Sequence, residues 1–461
     1  MTIWLPNLPP GGGPRYRAIA DAIAAARAEG VLQPGSPLPP QRELAYRLGL
    51  SLSTVTRAYA EAERRGLIQG EVGRGTFVRE AGPLGLDPAR VVTAPESGEA
   101  IDLGLNLPPP GPAPALAAEA LTRLAGGSLA LLSDNGAAQQ ARHAAAGAAW
   151  VQKLGLAAAP DQVFVTLGAQ HATLVALLAS TRPGDAVLTE ALTYPAIKQL
   201  AQHLKLELHP VAMDAEGLLP DALDEACRRT GGRCLYFMPT LHCATGATAP
   251  AERRHAIGAV ARRHDLILIE DDVFGRLPDD RPPPVAAAAP ERSFYVTSLS
   301  KCVAPWLRVG FLHAPADRRD AIRAAIHMTC WMVPPLMAEL AAGWIADGTA
   351  ESLAAWQRGE AKQRQAMAQA VLGPLASQGG GDGFHFWLEL PRPWRAAALL
   401  AAAERRQVRI VAADMFAVGE SAPEAVRLAL GRPSSREGLR AGLEVVRDLL
   451  RQGNAPPDNV I

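Results

Sequence analysis

The sequence predicts two folded domains joined by a linker: a small helical domain with a β-hairpin over residues 1–80, and a large α/β domain over residues 101–461. Three observations predict this. Residues 14–79 carry ten arginines against six acids, although the whole chain balances at 46 basic and 46 acidic residues. Residues 81–100 (AGPLGLDPARVVTAPESGEA) are rich in Gly, Pro and Ser and lack apolar periodicity, as a linker should. From Ile101 onward, short apolar runs alternate with amphipathic, Ala-rich stretches, the pattern of parallel strands joined by helical crossovers.

The small domain builds up in order. Residues 15–29 (RYRAIADAIAAARAE) place Ile19, Ile23 and Ala26 on one helical face, and Gly30 with Pro34-Gly35 ends that helix. Residues 41–48 form a second, short helix with Leu44 and Leu48 facing inward, and Gly49 supplies a tight turn. Ser51 caps a third helix that runs to Arg65, with Val55, Tyr59 and Ala62 as its buried stripe. Then LIQGEVGRGTFV gives two short strands around Gly73-Arg74-Gly75, a wing with an arginine at its tip.

Over LPPQRELAYRLGLSLSTVTRAYAEAERRGLIQGEVGRGTFV this segment resembles the winged helix-turn-helix of the GntR family, which implies double-stranded DNA as a partner. The start of the third helix (Ser51, Leu52, Ser53, Thr54, Thr56 and Arg57) is then expected to enter the major groove, where hydroxyls and a guanidinium read base edges or clamp phosphates. Arg42 is expected to position the DNA backbone, and Arg74 to reach a narrow minor groove. Many relatives carry arginine where this chain has Leu52, so its base contacts are expected to be fewer or different.

Composition narrows the rest. With 461 residues, 48% of them hydrophobic, the chain can bury a large core and is neither disordered nor stapled by disulfides. Its neutrality excludes a global field for nucleic acid or anionic lipid, so a nucleic-acid site has to be local. Cys227, Cys234, Cys243, Cys302 and Cys330 are odd in number and show no C-x-x-C spacing, so neither a metal site nor a disulfide framework is expected. Residues 1–13 lack the basic and apolar regions of a signal peptide, and no apolar stretch approaches the roughly 20 residues that span a bilayer. A cytoplasmic protein without a membrane partner is the expectation.

In the large domain, the apolar runs 163–166, 186–189, 234–238, 266–269 and 294–297 read as buried strands. Only five lysines exist in the chain: Lys153, Lys198, Lys205, Lys301 and Lys362. Lys301, in TSLSKCVAPWLRVGF, follows a strand-like run, is flanked by small hydroxyl residues and has Arg308 seven positions on. The other four sit in helical or polar contexts that suit surface lysines. A lysine held out of water has a lowered amine pKa, which favours attack on an aldehyde.

Ser298-Leu299-Ser300-Lys301 with Arg308 resembles the lysine motif of fold-type I aminotransferases, and further segments match that family in the same chain order. The resemblance implies pyridoxal 5'-phosphate as cofactor, with a Schiff base on Lys301. Gly168, Ala169 and Gln170, opening a helix after a strand, would hold its phosphate, and Ser298, Ser300 and Arg308 of the lysine motif would also bind the cofactor. Asp271, ending the strand in LILIEDDVFG, would pair with the pyridine nitrogen, and Tyr194 in EALTYP would stack on the ring. Arg427 in AVRLALG would grip a substrate or effector carboxylate. His171 and His242 are read as packing or capping residues.

Two positions depart from the family. Cys243 stands where relatives have an asparagine that donates to the phenolic oxygen of the cofactor, and Phe274 where they often have a tyrosine serving the same oxygen. Cysteine is a weak donor and phenylalanine none. Cofactor binding without strong catalysis is therefore expected. A GntR-type arm on an aminotransferase-like domain resembles the MocR-type transcriptional regulators over practically the full chain. This implies a homodimer whose DNA binding responds to pyridoxal phosphate or to an amino compound. A working aminotransferase with an appended DNA-binding arm is the alternative; a cofactor-free dimerisation scaffold is disfavoured by Lys301, Asp271 and Arg427.

Overall fold

The computed structural model describes residues 4–6, 14–28, 31–33, 35–64, 67–71, 75–78, 100–126, 136–373, 381–419 and 422–452. It divides into two compact units, Met1–Val92 and Thr93–Ile461. Of the proposed linker only Ala100 is described; residues 81–99 lie outside the described residues, as does Arg74.

In the first unit, α1 (Arg15–Ala28), α2 (Gln41–Leu48) and α3 (Leu52–Arg64) precede an antiparallel hairpin of β1 (Ile68–Glu71) and β2 (Gly75–Val78). Ile19, Ile23 and Ala26 of α1 are buried with Leu44, Val55, Tyr59 and Ala62, the stripes the periodicity predicts. Gly49 adopts φ +63 and closes α2 in the left-handed conformation that glycine tolerates without strain. The Tyr59 hydroxyl donates to the Pro39 carbonyl at 2.6 Å, which satisfies its one polar atom inside this core.

The second unit contains β3 (Ile101–Asp102), α4 (Ala113–Gly126), α5 (Ala137–Gln152), β4 (Val163–Thr166), α6 (Gly168–Ser180), β5 (Ala186–Glu190), α7 (Pro195–Leu204), β6 (Glu207–Val211), a short hairpin of β7 (Met213–Asp214) and β8 (Gly217–Leu218), β9 (Cys234–Phe237), β10 (Ile267–Asp271), β11 (Ser293–Ser298) and β12 (Gly310–His313). Then come β13 (His385–Glu389), β14 (Val408–Arg409), β15 (Val411–Ala412) and β16 (Ala425–Ala429). A seven-stranded sheet has the order β4-β12-β11-β10-β9-β5-β6. Its strands share one direction except β12, which is antiparallel to both neighbours. Helices cover both faces, so these strands read as continuous apolar runs.

The five predicted strands are all present, with ends shifted by a residue or two. β6 and β12 escaped prediction. β6 lies at the sheet edge and contains Pro210, which a ladder tolerates only there; β12 follows the Lys301 loop too closely to stand out as a separate apolar run. A second sheet, β13-β16-β15, packs its own apolar cluster beneath the last helices, and β3 pairs in parallel with β14. Lys198 is not a free surface lysine: its Nζ donates to the carbonyls of Met415 (2.6 Å) and Ala417 (3.1 Å). Among the described residues no helix is long and apolar enough to cross a membrane.

Candidate functional site

Sheet register gathers the chemistry at one end of the seven-stranded sheet. Thr166 ends β4 just before α6 begins at Gly168, and Ser298 ends β11 just before the turn that carries Lys301. Both stand opposite Gly310 in register, so the start of α6, Lys301 and Arg308 lie side by side. Contact there is close: a Cβ on Gly310 would stand 2.6 Å from the Gly168 carbonyl carbon, and one on Gly168 3.1 Å from Arg308 Nη2. Leu167 gives α6 no side-chain cap, which leaves the opening turn with Gly168, Ala169 and Gln170 to find acceptors elsewhere. Ser298 Oγ accepts from the Ser300 amide at 3.3 Å, while Ser300 Oγ is buried without a partner among the described residues. An uncapped helix start, a spare hydroxyl and a guanidinium make a cradle suited to a phosphate.

Asp271 ends β10, buried. The Tyr236 hydroxyl donates to its Oδ2 at 2.7 Å, and Oδ1 has no partner among the described residues. Burial lifts this carboxyl to about 6, against the pull of the Tyr236 bond. Lys301 Nζ donates to the Asn106 carbonyl and lies 5.8 Å from the centroid of the Phe274 ring. Burial, and then the Arg427 charge, lower its amine to about 8, with Asp271 opposing them. An amine half neutral near pH 8 can attack an aldehyde.

Arg427 lies on β16, the middle strand of the second sheet. Its Nη2 donates to the Gly104 carbonyl at 2.6 Å and its Nη1 to the Cys243 carbonyl at 3.2 Å; Nε has no partner among the described residues. The guanidinium lies 4.8 Å from the Phe416 ring centroid, and burial lowers its pKa to about 10. Tyr194 stands at the N-cap of α7; burial, and then the Asp271 charge, push its phenol up to about 12. The charges of Asp271, Arg308 and Arg427 act on both Tyr194 and Lys301, so the structure brings these five residues together.

Cys243 and Phe274 are both buried, and burial pushes the Cys243 thiol up. Phe274 packs against the His385 ring at 5.3 Å. His385 has no donor to spare: its Nε2 donates to the His242 carbonyl at 2.9 Å and its Nδ1 accepts from Asn106 Nδ2 at 3.2 Å. Burial holds the ring neutral, down to about 3. Both histidines read as packing residues are hydrogen-bonded: His171 Nδ1 accepts from the Leu167 amide at 3.1 Å, and His242 Nε2 donates to the Leu192 carbonyl at 2.8 Å.

Sequence reasoning missed Asn106, Tyr236, His385 and Glu190. Tyr236 carried a usable signal, because a tyrosine inside a buried parallel strand has to find a partner for its hydroxyl. It pairs in register with Ile269, two residues before Asp271 and hence on the same face of the sheet. Glu190 ends β5, accepts from the Met238 amide at 3.1 Å and lies 3.6 Å from His242 Nε2. Burial lifts its carboxyl to about 8.

In the first unit, Ser51 Oγ accepts from the Thr54 amide at 3.2 Å, the predicted cap, and contacts Ser53 Oγ (2.9 Å) and Thr54 Oγ1 (2.8 Å). Thr56 Oγ1 donates to Gln41 Oε1 at 2.8 Å, tying α3 to α2. Arg57 stacks its guanidinium 4.0 Å from the Tyr16 ring centroid. Several side chains expected to face DNA are thus engaged within the domain. Leu52, 44% exposed, and Arg42 remain on the surface.

Residues 99–442 match the model of the aminotransferase class I and II family. The chain belongs to this family. Residues 15–78 match the bacterial regulatory proteins of the gntR family, whose helix-turn-helix implies DNA binding. In this order the two domains are the architecture of MocR-type regulators. The class I and II chain is similar along its length to the HTH-type transcriptional regulator YdeF of Bacillus subtilis, at 29% identity over 97% of this chain and 96% of the relative. It is 27% identical, over 95% of this chain and 96% of the relative, to the vitamin B6 salvage pathway transcriptional repressor PtsJ of Salmonella typhimurium. Its fold is that of an archaeal alanine:glyoxylate aminotransferase, with a TM-score of 0.71 and 22% identity over 77% of this chain and 92% of that structure.

Proposed function

We propose that this chain is a DNA-binding transcriptional regulator whose large domain holds pyridoxal phosphate and responds to it or to an amino compound. The observation that supports the reading is a set of buried groups suited to hold the cofactor, combined with weak or absent donors at positions 243 and 274. Lys301 offers a readily neutralised amine, Asp271 a buried Oδ1 with no partner among the described residues, and the α6 start with Ser300 and Arg308 an anion cradle. Cys243 and Phe274, both buried, give the phenolic oxygen no strong donor. Such a site suits retention and sensing better than turnover.

When bound, pyridoxal phosphate supplies an aldehyde and an electron-withdrawing ring. Lys301 would hold the aldehyde end, Asp271 would keep the ring nitrogen protonated, and Tyr194 would pack on the ring. Gly168, Ala169, Gln170, Ser298, Ser300 and Arg308 would hold the phosphate, and Arg427 a carboxylate of the effector. Leu52, Arg42 and the opening turn of α3 would meet DNA, with two copies of the chain presenting two such helices in a cytoplasmic homodimer. Regulation then requires the effector to prefer one arrangement of the DNA-binding arms.

The test is a DNA titration against the regions upstream of its own and the adjacent gene, with and without pyridoxal phosphate, at two salt concentrations. A retarded complex whose affinity changes with the cofactor supports the reading, and no complex under any condition refutes it. Turnover of amino acids at enzyme-like rates would favour an active aminotransferase instead, a reading that the lowered Lys301 amine and the buried Arg427 keep in play.

A further inference from the structure

The two residues assigned to ligand capture donate to one short stretch of backbone. Lys301 Nζ bonds the carbonyl of Asn106 and Arg427 Nη2 the carbonyl of Gly104 at 2.6 Å. This stretch directly follows β3, and the Ile101 and Leu103 amides beside it donate to the Gln407 and Arg409 carbonyls at 2.8 Å each. The segment is held on its other side as well. Asn106 Nδ2 donates to His385, and the Asp102 carboxylate accepts from the Gly104 (2.8 Å) and Leu105 (3.1 Å) amides.

We infer that residues 104–106 form a latch, closed by Lys301 and Arg427 and opened when ligands take those two side chains. A group that engages Lys301 Nζ leaves the Asn106 carbonyl without its donor, and a carboxylate on Arg427 does the same to Gly104. Both carbonyls lie in a buried setting where a lost donor is costly. Pyridoxal phosphate held on Lys301 releases the Asn106 point; an amino compound that replaces Lys301 on the aldehyde returns the free amine to that carbonyl while its carboxylate takes Arg427 and releases the Gly104 point, so the two ligand classes open different points of the latch. The relay to DNA rests on the proposed function; the latch itself does not.

The test is hydrogen–deuterium exchange on the full chain. Loss of one hydrogen bond at a buried site is expected to speed exchange of the Leu103, Gly104 and Leu105 amides about tenfold. This should be seen in wild type with pyridoxal phosphate, in Lys301→Met and in Arg427→Met without ligand, and most in the double variant. Exchange unchanged within about twofold in the variants and in the loaded wild type would overturn the latch. If a variant fails to fold, the loaded wild type decides alone. A chain that takes up no pyridoxal phosphate, read by visible absorbance, removes the proposed function, while the variants still decide the latch. Faster exchange at 101–107 with unchanged DNA affinity in the double variant would overturn the relay.

Discussion

Tyr236 donates its phenolic proton to Asp271 Oδ2 at 2.7 Å, and the other carboxylate oxygen is buried with no partner among the described residues. The phenol fixes the carboxylate's rotation and favours its ionised form in a setting where burial opposes ionisation. A charged Asp271 is what a protonated ring nitrogen needs beside it.

Tyr236→Phe should therefore weaken pyridoxal phosphate binding by about 1–3 kcal/mol, the usual cost of a lost hydrogen bond to a buried charged group. Asp271→Ala should cost more. Titration of the visible absorbance of purified protein measures both, and a dissociation constant unchanged in Tyr236→Phe would contradict the role of the phenol.

Capture of the cofactor should depend on pH through Lys301. Its amine is lowered to about 8, so the neutral fraction, and with it the capture rate, rises between pH 6 and 9. Arg427 is one cause of the lowering; Arg427→Met removes a positive charge that disfavours the ammonium, and the midpoint should move upward. Stopped-flow absorbance at stepped pH checks both the slope and the direction of the shift.

Glu190 should make the fold pH-sensitive. Its folded carboxyl keeps a proton up to about 8, whereas an exposed one loses it near 4.5. The folded state binds the extra proton in that window, so this contribution to stability is present below pH 4.5 and is lost as pH rises to 8. Glu190→Gln cannot titrate, and its Tm should fall less than that of wild type between pH 5 and 8 in calorimetric scans.

Leu52 and Arg57 should separate on DNA. Leu52 is exposed at the start of α3, where an apolar side chain can meet a thymine methyl, and Leu52→Ala should lose affinity on thymine-containing operators but not on their uracil-substituted copies. Arg57 stacks on Tyr16, so Arg57→Ala should lower the stability of the small domain by about 0.5–1 kcal/mol. Fluorescence anisotropy and thermal melting read the two effects.

Much of this was legible from the residues. The α3 stripe of Val55, Tyr59 and Ala62 followed from helical spacing, and Lys301 from being one of five lysines with a single suitable setting. What stayed hidden depends on tertiary register. Tyr236 meets Asp271 only because β9 and β10 are adjacent and in register, and Asn106 meets Lys301 across 195 positions of chain. The engagement of Thr56 by Gln41 was hidden for the same reason: one helix face is readable, but its neighbour is not.

The reversed strand β12 has a mechanical meaning. Because β11 and β12 run antiparallel with Ser298 opposite Gly310, the connecting residues 299–309 leave and return at the same edge. Lys301 and Arg308 are therefore two jaws of one calliper whose opening is fixed by the strands beneath it. If Lys301 takes a carbonyl and Arg308 an anionic group, as proposed, a molecule that satisfies both must carry the two at a separation that this loop sets.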